Sequence, residues 1–240
     1  SFFLLAADIE SARGIAKRAL RTINFREEDE KYNVWVALIN LEHKYGTMAS
    51  LDKCFKQGVS ETKGKYLHIH LAELYDGADD VKGARLLFER AIKKHKTSKK
   101  VWMAYQHFEL RRGNDKEARA LLGRSMLSLS RHKHIEVILQ YASLQFELGN
   151  YEAGREVFED LLQNFPKRTD IWNVFVDKEV KYKHYSHARR LFERMICLKI
   201  SAKNVKSIFK KYLYFELSHG SVQEQEGVKQ KAREYVESLM

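Results

Sequence analysis

The chain has 240 residues, 44% hydrophobic and 31% charged, with a single proline and a formal charge of +11. That balance suits a soluble, folded chain and excludes long irregular loops, since one proline is compatible with nearly continuous helix. A pI near 9.5 favours an anionic partner such as nucleic acid or an acidic protein surface.

From the N-terminus, the apolar run Phe2 to Ala7 is too short for a membrane span or a signal-peptide core. The chain opens at Ser and its first pattern lacks a first helix, so it reads as a fragment cut inside a repeat. Residues 8–21 then read as the second helix of a truncated leading repeat, and Asn24 to Lys31 as an irregular connection. Beyond it one grammar returns six times. Trp35, His68, Trp102, Ile138, Trp172 and Phe209 are 33 to 37 positions apart. Each is followed six residues later by a second marker: Leu41, Leu74, Phe108, Leu144, Lys178 and Phe215. A period near 34 predicts helix pairs: 33–45 with 48–62, 65–76 with 79–95, 99–112 with 115–129, 134–148 with 151–164, 169–182 with 185–198, and 203–219 with 222–238. The fold class is therefore all-α, a right-handed superhelical α-solenoid with one domain over 1–240. Its leading fragment is 1–31 and its repeats are 32–63, 64–97, 98–132, 133–167, 168–201 and 202–240.

Within the third pair, Trp102, Tyr105 and Phe108 share one helix face with Glu109 on its flank. Gly113 stops that helix, and Asn114 with Glu117 offers a capping box for the next. Gly46-Thr47, Gly149-Asn150 and Gly220-Ser221 repeat the junction. Trp35, Trp102, Tyr105, Phe108, Trp172, Phe192, Phe209 and Phe215 are assigned to the repeat core. The Glu after the second marker and the Arg of each Ala-Arg pair suggest structural ion pairs inside a repeat, such as Glu109 with Arg119.

No Gly-rich phosphate loop, His-Glu-x-x-His or nucleophile elbow appears. Cys54 and Cys197 match no metal or redox spacing and fit a reducing compartment. His184 and His187 are one helical turn apart, but no third ligand lies in sequence reach. No cofactor or metal is expected. Binding candidates are basic. Lys93, Lys94, Lys96, Lys99 and Lys100 form one run, near Arg131 and Lys133. Residues 181–211 hold ten Lys/Arg against one acid, Glu193. Its candidates are Lys181, Lys183, Arg190, Lys199, Lys203, Lys206, Lys210 and Lys211. With Lys167 and Arg168, the turns between repeats are expected to line one basic edge. Tyr182, Tyr185 and Tyr212 lie among these cations and are the best candidates for stacking on bases.

The pattern Trp-x-x-Tyr-x-x-Phe-Glu followed by Ala-Arg-x-x-Phe-Glu-Arg-Ala, clearest at 84–91 and 188–194, resembles the half-a-tetratricopeptide (HAT) repeat. The strings at 22–47 and 166–181 and the ending from Phe209 resemble the C-terminal repeat domain of the ribosomal RNA processing protein five family, known in animals as programmed cell death protein eleven. The resemblance implies a nucleolar, non-enzymatic scaffold of small-subunit rRNA processing. Its partners would be pre-ribosomal RNA, assembly proteins or both, with S1-type OB folds upstream. HAT scaffolds of splicing or mRNA 3′-end processing, and peptide-binding cochaperone modules, are the alternatives. His68, Ile138, Lys178 and Leu51-Asp52 depart from the ideal repeat, so repeats two and four are expected to pack less regularly than the third.

Overall fold

The computed structural model describes residues 8–24 and 26–238. The apolar run at 2–7 lies outside them. Thirteen α-helices and one short 3₁₀ turn make up the regular structure of the described residues, with no strand. The first compact unit ends at Arg131 and holds α1 (Ile9–Thr22), then the pairs α2 (Glu28–Tyr45) with α3 (Met48–Glu61), α4 (Lys65–Gly77) with α5 (Val81–Lys94), and α6 (Lys99–Arg111) with α7 (Asp115–Ser128). The second begins at His132 and holds α8 (His134–Glu147) with α9 (Tyr151–Asn164), α10 (Thr169–Lys181) with α11 (Tyr185–Ile196), and α12 (Ala202–His219) with α13 (Val222–Glu237). Within each unit, consecutive pairs stack as in an α-solenoid.

The paired helices follow the sequence pattern closely, with one difference at the start. Residues 28–31, expected to be irregular, form the first turn of α2. Glu28, Asp29 and Glu30 stabilise that turn against the helix dipole. Lys63 also pairs with Glu28 at 2.6 Å.

Three core junctions are built alike. A Phe near the middle of the second helix of one pair stacks on an aromatic ring from the first helix of the next. Phe88 lies on Tyr105, Phe158 on Phe175 and Phe192 on Tyr212, with centroids 4.6–4.9 Å apart and planes within 7°. Offset stacking of this kind adds to the burial of two large rings. The residue one turn earlier is small and buried in each: Ala84, Gly154 and Ala188.

The turns inside the pairs are of two kinds, not the single kind suggested by the repeated glycine. Gly113 and Gly149 have φ of +72° and +84°, in the left-handed region that glycine enters without strain. Asn114 and Asn150 follow them, but neither side chain caps its helix. Each turns back instead, to Glu109 at 2.8 Å and to Gln145 at 3.0 Å. The capping box expected at Asn114 is absent, and the side chain instead donates from Nδ2 to the buried Glu109. Gly46 and Gly220 are extended, and Thr47 with Ser50 and Ser221 with Glu224 form full capping boxes. A Cβ on either glycine would run into the carboxylate of Glu42 or Glu216, so the missing side chain makes room for the acid.

Candidate partner-binding surface

The buried acids decide which cations remain for a partner. Arg85 donates from Nε and Nη2 to both oxygens of Glu109, each at 2.8 Å. Arg155 grips Glu179 in the same way at 2.7 and 2.8 Å. Arg13 holds Glu42, and Arg189 holds Glu216. In every case the Arg comes from the second helix of one pair and the Glu from the first helix of the next. This corrects the expected pairing of Glu109 with Arg119 inside one repeat. A third group completes the node: Ser50 on Glu42, Asn114 on Glu109 and His184 on Glu179. Each acid therefore joins three segments of two repeats. The fork of Arg suits this task, because two parallel hydrogen bonds fix direction as well as charge.

A second clasp joins the second helices of neighbouring pairs. Arg124 takes Glu89 with both terminal nitrogens and lies 5.7 Å over the Trp102 ring. Arg194 takes Glu159 and lies 4.8 Å over Trp172. The two indoles donate to the Lys96 and Pro166 carbonyls at 2.8 and 2.9 Å. Trp35 has no equivalent bond, and its buried Nε1 is unpartnered. Six residues before it lies Asp29, already inside α2 and not in a turn.

These contacts remove Arg189 and Arg194 from the basic run at 181–211. Lys211 is also engaged, with Asp177 at 2.7 Å and Asn173 at 3.0 Å. The remaining cations of the run are not one patch. Lys181 and Lys183 flank the turn between α10 and α11, and Lys199 and Lys203 flank the connection from α11 to α12. These are opposite ends of the same stack. Arg190 is exposed on α11, and Lys206 and Lys210 are exposed on α12.

In the second unit, the connections between pairs carry Lys133, Lys167 with Arg168, and Lys199 with Lys203 at one end of the stack. Arg168 is held by Asp170 at 2.6 Å. Lys167, Lys199 and Lys203 are exposed and have no acidic partner within 4 Å among the described residues. In the first unit Lys93, Lys94, Lys96, Lys100 and Arg131 are exposed, and Lys99 is half-buried. Lys100 lies 5.0 Å over Tyr66 and donates to its hydroxyl.

The stacking candidates are largely occupied. Tyr212 is buried against Phe192 and donates to Glu193 at 2.7 Å. Tyr185 stacks on His219, and Tyr182 packs on Phe146 and Tyr151. Tyr214, which the sequence did not single out, is 73% exposed. Helical spacing carries its signal: it is two residues from Tyr212 and so on the far side of α12.

A cleft of about 840 Å³ lies among α1, α2 and α3. Arg13, Lys17, Arg21 and Lys53 line it together with Glu10, Glu42 and Glu61, and Cys54 lines one wall. Burial pushes the Cys54 thiol up to about 11, which keeps it protonated and unreactive near neutral pH. Among the described residues, no three His, Cys, Asp or Glu side chains stand close enough to hold a metal ion. None of their helices is long and apolar enough to cross a membrane.

Comparison with known proteins places this architecture. The family model for the PRP39 C-terminal HAT repeat matches residues 64–179, and that for the pre-mRNA-splicing factor Syf1/CRNKL1 C-terminal HAT repeat matches 131–239. Over the whole chain the likeness is to other proteins. Mouse "Protein RRP5 homolog" is 41% identical over 99% of this chain, and Schizosaccharomyces pombe "rRNA biogenesis protein rrp5" is 40% identical over 98%. The chain belongs to the RRP5 family, as a HAT-repeat region. It spans 13–14% of the length of those RRP5 relatives. The Neurospora crassa "Pre-mRNA-splicing factor clf-1" matches 93% of the chain at only 23% identity. The RRP5 likeness thus exceeds what shared HAT grammar alone produces. The acid–arginine nodes and stacked rings described above are the internal frame of this RRP5 repeat region.

Proposed function

We propose that this RRP5-family region is a non-enzymatic scaffold of ribosome biogenesis in the nucleolus, supporting pre-rRNA processing towards the small subunit. The observation that carries the reading is 40–41% identity, over nearly the whole chain, to proteins whose names state rRNA biogenesis. The surface supports it: buried acids consume the recurrent arginines, while Lys167 and Lys199 stay exposed on connections of the second unit and Lys203 in the first turn of α12. Such lysines meet phosphates with little sequence preference.

The test is RNA binding by the parent and by a Lys167→Gln/Lys199→Gln/Lys203→Gln variant. Loss of three phosphate contacts lowers the slope of log affinity against log salt by about 2–3. Helix content stays unchanged, because none of the three lysines packs in the core. Equal affinities at two salt concentrations overturn the RNA contact. In cells, the same substitutions are expected to accumulate small-subunit rRNA precursors, read by hybridisation. One matched family model and the Neurospora crassa relative are named for pre-mRNA-splicing factors, so splicing is the second reading. Normal small-subunit rRNA with defective splicing would favour it.

A further inference from the structure

The last helix pair carries a surface that the repeat grammar does not account for. Between α12 and α13 lies a groove of about 530 Å³, within the range of pockets that accept side chains. Phe209, Leu213, Val228, Ala232, Tyr235 and Val236 form its apolar floor. Lys206, Lys210 and Arg233 rim it together with Lys229, which Glu226 holds at 2.6 Å, and no acid lines it.

Inside each unit, the corresponding face of one pair receives the first helix of the next. At three of these junctions the receiving chemistry is the same, whereas α3 carries Asp52 in place of the Arg and α1 carries Ala16 in place of the Phe. Counting from the residue that precedes the second helix, position five in those three is Arg, position eight Phe and position twelve aliphatic. The sets are Arg85, Phe88 and Ile92; Arg155, Phe158 and Leu162; Arg189, Phe192 and Ile196. The Arg clasps the incoming Glu and the Phe stacks on the incoming ring. On α13 the same three positions hold Glu226, Lys229 and Arg233. A further helix of this grammar would find no ring to stack on, and its Glu would face Glu226. The occupant must have different chemistry.

The charges state which. On α12 the only acid is Glu216, already held by Arg189. On α13, steps of 100° put Glu226, Glu234 and Glu237 away from the line of Val228, Ala232 and Val236, and Glu224, which continues that line in the first turn, is held by Arg189 at 3.0 Å. The groove is thus apolar along its floor and cationic along both walls. A phosphodiester strand satisfies the walls but leaves the floor against water or charge. An amphipathic helix with apolar residues on one stripe and acids on its flanks satisfies both. We propose that the α12–α13 groove is a docking site for an acidic amphipathic helix of a partner protein. This goes beyond the RNA-binding reading and stands without it.

The test uses the 240-residue chain and a fluorescent designed helix of about 18 residues, with leucines at i, i+3, i+4 and i+7 and glutamates on the flanks. A scrambled peptide of the same composition and a single-stranded RNA are the comparators, read by anisotropy. The helix is expected to bind at least about tenfold more tightly than the scramble. Val236→Glu is expected to weaken it by a similar factor while leaving RNA affinity unchanged. Val236 is 52% exposed, so this substitution preserves the fold, checked by circular dichroism. The Lys167, Lys199 and Lys203 substitutions are expected to leave peptide binding intact, which separates this proposal from the RNA reading. Equal binding of helix and scramble overturns it. So does a Val236→Glu variant that loses RNA and not the helix, which would assign the groove to nucleic acid. Self-association of the parent that Val236→Glu abolishes would assign it to a second copy of the chain.

Discussion

Glu179 shows what a single side chain contributes here. It is fully buried, and Arg155, which grips it, is 12% exposed. A charge removed from water this far is tolerable only with its hydrogen bonds complete. Glu179→Gln keeps the shape but leaves Arg155 with only the exposed Glu152 as counter-charge, and is expected to cost about 3 kcal/mol in urea unfolding. Asp52→Asn, at an exposed one-turn pair with Lys56, is expected to cost about 0.5 kcal/mol or less. The acids also shape the response to pH. Hydrogen bonds from Arg13 hold the Glu42 carboxyl below its ordinary value of 4.5, and Arg124 does the same for Glu89. A group with a lowered native pKa stabilises the fold above its unfolded pKa and loses that contribution as pH falls towards the native value. Stability should therefore decline from about pH 4.5 downwards, and Glu42→Gln should flatten that decline in a pH series of unfolding midpoints. The sequence displayed the acids and arginines but not their pairing. Glu109 is nearer in sequence to Arg119, yet the stack brings Arg85 to it from 24 residues away. Spacing along one chain cannot distinguish a contact within a repeat from one between repeats, although the same separation of 24 recurs at Arg155 and Glu179.

At the scale of the helix, local composition settles positions that periodicity leaves open. Gly154 stands where other repeats have Ala, because a Cβ there would lie 2.6 Å from the Phe146 ring. That ring cannot yield, packed as it is by Tyr151, Phe158, Phe175 and Tyr182. Gly154→Ala is expected to destabilise by about 1–3 kcal/mol through overpacking. Gly113→Ala meets no atom within 4 Å and should cost about 1–2 kcal/mol through its positive φ alone. Crystal structures of both variants would show a displaced Phe146 in the first only. His68, in the Trp position, is a second case. It is buried, its Nδ1 lies 2.7 Å from the Gly64 carbonyl, and it meets Phe55 and His95 edge-on. Burial lowers the pKa of both histidines, and Lys94 lowers each further. Their neutral forms stabilise the fold above pH 6.5, and that contribution fades as pH falls below it. A fall in unfolding midpoint between pH 7 and 5.5, flattened in His68→Gln, is the expected result.

For the whole molecule, the helix-pair architecture was legible because a period near 34 survives even where individual markers change. The binding surface was less so. A run such as 181–211 reads as one patch, but the 12 residues of α11 span about 18 Å and carry Lys183 and Lys199 to opposite ends of the stack. Two of its arginines are also taken by acids from neighbouring helices. Stacked repeats further imply that damage spreads from neighbour to neighbour and not at once through the chain. Trp172 tests this within the second unit. It is 3% exposed, donates to the Pro166 carbonyl, and lies under Arg194, which also holds Glu159 of α9. One indole thus ties α9, α10 and α11. Trp172→Ala is expected to cost about 3–5 kcal/mol, as loss of a buried aromatic side chain does. Hydrogen exchange should show protection lost first in α9, α10 and α11, with α13 retaining most of its own. Equal loss from α8 through α13 would show instead that the unit opens as one cooperative body, and that the ring stacks and acid nodes couple beyond their nearest neighbours.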